Sequence, residues 1–138
     1  MEQLAVEIVG LCREYGECRV EAERMEEARR VKNALESVCA MARQRLDISD
    51  PALLLALLDA CEVTRDEGML QEVLDVVGRN LDRLAVSAES VKLLAYCYYY
   101  VEEEECVERA GRMLEELRKM GRGEEELADA ETILEELT

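Results

Sequence analysis

The chain has 138 residues, 49% of them hydrophobic and 36% charged, with a net charge of −16 and no His, Phe or Trp. That mixture excludes a globally disordered chain. The acidity disfavours nucleic acid and anionic membranes, both of which recruit proteins through cationic side chains. One all-α domain over residues 1–138 is expected, large enough to bury roughly two-thirds of its unfolded surface.

No stretch approaches the roughly 20 apolar residues of a membrane span. The opening MEQLAVEIVGLCREYG lacks the basic segment of a signal peptide. A soluble, cytoplasmic protein is the expectation. Arg outnumbers Lys fourteen to three while Asn and Gln are scarce, a balance compatible with a thermophile.

The pattern predicts about seven helices stacked as antiparallel hairpins, and no strand, because apolar–polar alternation is missing. The first helix is expected from Glu2 to about Glu14, with Leu4, Ile8, Leu11 and Tyr15 on one face. Gly16 would end it in the left-handed conformation. The second is expected from about Val20 to Leu46. Met25, Ala28, Val31, Leu35, Val38 and Ala42 recur there at three- and four-residue steps.

Asp50-Pro51 reads as an N-cap followed by proline at the first helical position. It opens a third helix to about Val63, apolar all round in Ala52 to Leu58 and therefore expected to be buried all round and central. A fourth is expected over Glu67 to Leu84, with Leu70, Val73, Leu74, Val77, Leu81 and Leu84 inward. Ser87 should cap a fifth that ends near Val101. The sixth is expected from about Glu103 to Met120, closed by Gly121 or Gly123, and a seventh from about Glu124 to Glu136.

Residues recur at an offset of 36. Leu57, Leu58, Cys61, Leu70, Leu74 and Val77 fall on Leu93, Leu94, Cys97, Cys106, Ala110 and Met113. Repeats of this length signal stacked helical units. Over roughly residues 51–120 the chain resembles a degenerate tetratricopeptide-like hairpin repeat, in hairpin length and in the segment LLAYCYYYVEEEECVERAGRMLEEL. The resemblance implies a concave surface that binds peptides or proteins.

Four of the five tyrosines lie in one window: Tyr96, Tyr98, Tyr99 and Tyr100. At 100° per residue they cannot share one face. Val91, Leu94, Cys97, Tyr98 and Val101 form an apolar stripe, which assigns Tyr98 to the core. Tyr96, Tyr99 and Tyr100 are expected at or near the surface, where an apolar ring with a polar tip suits partner contact.

The acidic run Glu102 to Glu105 follows at once. From Val101 to Thr138 the chain carries fourteen acids and five bases. Such a region steers a basic partner towards itself. The expected contact set is Tyr96, Tyr99, Tyr100, Glu103 and Glu104.

Other chemistry finds little footing. The six cysteines form no C-x-x-C and have no His to complete a zinc site. They read as small buried hydrophobes. The acidic run fits neither a calcium loop nor a carboxylate–histidine bundle site. No general base, phosphate loop or activated nucleophile stands out. No metal, no cofactor and no enzymatic activity are expected.

The expected function is protein–protein interaction, as a small adaptor or scaffold. A self-associating structural subunit is the alternative. RNA binding is a lesser one, requiring an arginine row drawn from Arg109, Arg112 and Arg118 or from Arg79 and Arg83.

Overall fold

The computed structural model describes residues 2–121 and 123–138. Among these there are seven α-helices and no strand: α1 Glu2–Cys18, α2 Met25–Arg43, α3 Pro51–Thr64, α4 Glu67–Arg79, α5 Ala88–Val101, α6 Glu104–Met120 and α7 Glu124–Leu137. Two short 3-10 turns, Ala22–Arg24 and Leu81–Arg83, precede α2 and follow α4. The all-α architecture is as expected. The chain gathers into two compact units, Met1–Val73 and Leu74–Thr138.

In the first unit both α2 and α3 pack on α1. Ala5, Ile8 and Cys12 of α1 meet this core, as do Ala28, Val31, Leu35, Val38 and Ala42 of α2. Two boundaries differ from the sequence reading. Helix α1 runs through Gly16 to Cys18, and Gly16 keeps a negative φ. The break falls instead on residues 19–21, where Arg19 still donates its N–H to Tyr15. Helix α2 begins only at Met25, which is 53% exposed, because the charged stretch before it winds as the 3-10 turn.

Helix α3 starts as expected. The Asp50 carboxylate accepts from the Leu53 N–H at 3.2 Å, and Pro51 opens the helix. Leu53, Leu54, Ala56, Leu57, Leu58, Ala60 and Cys61 are buried, while Asp59 and Glu62 are exposed. Arg65 ends α3 with φ 58°, and Asp66 then accepts from the Met69 N–H at 3.0 Å to start α4. Met69 is fully buried, a core position the periodicity did not single out.

Arg43, in the last turn of α2, ties these elements together. Its guanidinium donates two hydrogen bonds to Glu72 at 2.9 and 2.6 Å and lies 3.6 Å from Asp66.

In the second unit α6 and α7 both pack on α5. Helix α4 stops at Arg79, short of the expected Leu84. The Asn80 side chain donates to the Val76 carbonyl at 2.7 Å, and the chain tightens into the 3-10 turn. The Ser87 hydroxyl caps α5, accepting from the Ser90 N–H at 3.1 Å and donating to the Ser90 hydroxyl at 3.0 Å. This satisfies Ser90, which is fully buried. Of the two glycines expected to close α6, Gly121, with φ 66°, does so.

The caps place the internal recurrence at 37 residues. Asp50 and Ser87 start α3 and α5, each of 14 residues. The left-handed residues Arg65 and Glu102, and the helix starts Glu67 and Glu104, share this spacing. Burial follows it too: Leu53, Leu54, Ala56, Leu57, Leu58 and Ala60 match Ser90, Val91, Leu93, Leu94, Ala95 and Cys97.

Candidate functional site

Helix α5 carries the tyrosines because Ser87 fixes its start and α6 and α7 bury two of its sides. Val91, Leu93, Leu94, Ala95 and Cys97 are buried. What is left outward at the C-terminal end is decided by the 100° step. Tyr99 is 57% exposed. Tyr96 and Tyr100 are half-buried. The Tyr100 ring meets Tyr99 edge to face, with centroids 5.2 Å apart and planes at 78°. That geometry suits the ring quadrupoles and holds Tyr99 in place.

Two expectations shift here. Tyr98 is half-buried rather than core, and Val101 is 41% exposed although it was assigned to the apolar stripe. Both lie in the last turn of α5. Tyr99 and Val101 together leave apolar surface open at this end.

The acidic run forms the tip that joins α5 to α6. Glu102 adopts φ 52°, and its N–H donates to the Tyr98 carbonyl at 2.7 Å. Glu103 is extended and stands at the N-cap without a side-chain bond. Glu104 and Glu105 sit in the first turn of α6, where the helix dipole favours negative charge. All four carboxylates are exposed. Of the expected contact set, Tyr99, Glu103 and Glu104 are open to solvent. Tyr96 and Tyr100 flank them with part of each ring covered. One turn before Tyr96, Lys92 forms an ion pair at 3.7 Å with Asp129 of α7.

The arginines converge in a way the sequence only half disclosed. Arg79, Arg83, Arg109 and Arg112 line one groove of about 510 Å³ at the end of α4, the 3-10 turn and the first half of α6. The two candidate rows are thus one cluster. Arg118 is outside it and pairs with Glu131 of α7. The spacing of Arg109 and Arg112 put both on one face, but only the tertiary fold brings Arg79 and Arg83 to them.

The six cysteines are all buried and free. Burial pushes the thiols of Cys12, Cys61 and Cys97 up to about 12 and that of Cys39 to about 11. Such thiols are poor nucleophiles at neutral pH. Among the described residues no group of three Cys, Asp or Glu side chains is arranged to hold a metal ion. No described helix is long and apolar enough to cross a membrane. Compared with protein-family models, with curated proteins and with solved structures, the chain matches none.

Proposed function

We propose that the C-terminal end of α5 and the acidic tip beyond it form a docking surface for a partner protein with a basic surface. The observation that carries this reading is Tyr99, a large aromatic side chain 57% exposed and braced by Tyr100 beside four exposed carboxylates. Aromatic anchors supply much of the energy at protein interfaces. Surrounding acids raise the encounter rate with a basic partner and discourage acidic ones. On this reading Tyr96, Tyr99 and Tyr100 make the contact, and Glu103 and Glu104 select the partner. The protein acts as an adaptor or scaffold and not as an enzyme. The tetratricopeptide-like resemblance supports the same class of function.

Self-association is the weaker alternative on electrostatic grounds. A two-fold contact would set the Glu102–Glu105 run against its own copy in a chain of net charge −16.

Tyr99→Ala tests the proposal. Its ring is mostly in solvent, so the melting temperature should move little. Affinity for the partner should fall by about 2 kcal/mol, roughly thirtyfold. An unchanged affinity would remove the tyrosine from the interface. A large drop in melting temperature would make it a structural residue.

A further inference from the structure

The arginine groove offers chemistry that the docking surface does not use. Arg109 is partly committed: its Nε and Nη2 each donate at 3.3 Å, to the carbonyls of Leu81 and Leu84. This fixes the 3-10 turn against α6 and holds one guanidinium rigidly at the groove wall. Among the described residues no ion pair or hydrogen bond engages the side chain of Arg79, Arg83 or Arg112. Arg79 lies in the last turn of α4, where a cation favours the helix dipole. Arg83 and Arg112 have no such role. Three like charges facing a common space repel one another, and an oxyanion between them relieves that repulsion. The planar guanidinium fork also matches phosphate oxygens in pairs.

The groove carries a second kind of group. Asp82, Glu105 and Glu108 line it as well, none within ion-pair distance of those arginines. Ionised carboxylates only accept hydrogen bonds. They would repel a bare anion and favour a ligand that also carries hydroxyl donors. The volume of about 510 Å³ lies within the range of small-molecule sites. A long polyanion is disfavoured, because a strand leaving the groove past Glu105 would run into Glu102–Glu104.

We infer that this groove binds a small phosphate ester of a polyhydroxy compound, with the arginines on the phosphate and the carboxylates on the hydroxyls. Ribose 5-phosphate is a suitable probe, with inorganic phosphate and ribose as its two halves. Calorimetric titration at low ionic strength should show saturable binding of ribose 5-phosphate, weaker binding of inorganic phosphate and none of ribose. Arg83→Gln and Arg112→Gln should each weaken it at least about tenfold without lowering the melting temperature. Glu108→Gln should weaken ribose 5-phosphate and spare inorganic phosphate. No saturation by about 10 mM would overturn the proposal, since affinity would then be below any useful range. So would wild-type affinity in both arginine variants, or tighter binding of a single-stranded RNA oligomer than of the ester. If inorganic phosphate binds as tightly as the ester, the role given to the carboxylates is wrong.

Discussion

At the scale of single residues, backbone conformation reverses the roles expected of Gly16 and Glu102. Gly16 was expected to terminate a helix but sits inside α1, and a Cβ added there meets nothing within 4 Å. Gly16→Ala should therefore stabilise the protein by about 0.5–1 kcal/mol, seen as a raised midpoint in urea. Destabilisation would mean that the helix does end there. Glu102 holds φ 52° with a side chain that costs roughly 1–2 kcal/mol in that region. Glu102→Gly should gain about 0.5–1 kcal/mol after the extra chain entropy of glycine is subtracted. The buried thiols make a third test. In the native protein at pH 8 a thiol reagent should label the six cysteines slowly, and in denaturant rapidly, because burial both shields them and keeps them protonated. Fast native labelling of Cys97 would contradict its placement in the core.

At the scale of elements, the Arg43 contacts couple α2 to the α3–α4 turn and to α4. Hydrogen bonds from Arg43 hold the Glu72 carboxyl below the usual glutamate value of 4.5. A carboxyl with a depressed value in the folded state binds its proton less readily there than when unfolded. Its contribution is complete above 4.5 and is lost as pH falls through the folded value. The melting temperature difference between the wild type and Arg43→Met should be largest near neutral pH and shrink towards pH 3. A difference independent of pH would show that Arg43 acts by packing alone. The pair is exposed enough that added salt should shrink the difference as well.

Elements were legible where local chemistry sets them. Asp50-Pro51, Ser87 and Gly121 were readable because caps and turns depend on a few adjacent residues. The internal register was not. Thirty-six residues are ten helical turns, so leucine-rich helices match themselves at that offset whether or not they repeat. The caps, which are not periodic, show 37 instead. Burial at helix ends was equally hidden. Met25 and Val101 continue the apolar pattern of their helices yet are 53% and 41% exposed. Tyr98, in the same turn of α5 as Val101, is only half-buried. The exposed Tyr99 was foreseeable from helical geometry, whereas the arginine groove required residues 78–83 to meet the first half of α6.

At the scale of the whole molecule, charge governs association. A chain of net charge −16 repels its own copies at low salt, and its most acidic tip lies beside its most exposed aromatic ring. The account therefore predicts a basic protein partner. The most direct measurement places a photo-crosslinking amino acid at position 99 in the protein's own cellular setting, with position 36 on the exposed face of α2 as control. Adducts from position 99, mapped by mass spectrometry to a Lys- or Arg-rich surface of a different protein and missing from position 36, are the predicted result. Equal adducts at both positions, none at 99, or adducts only to a second copy of this chain would contradict it.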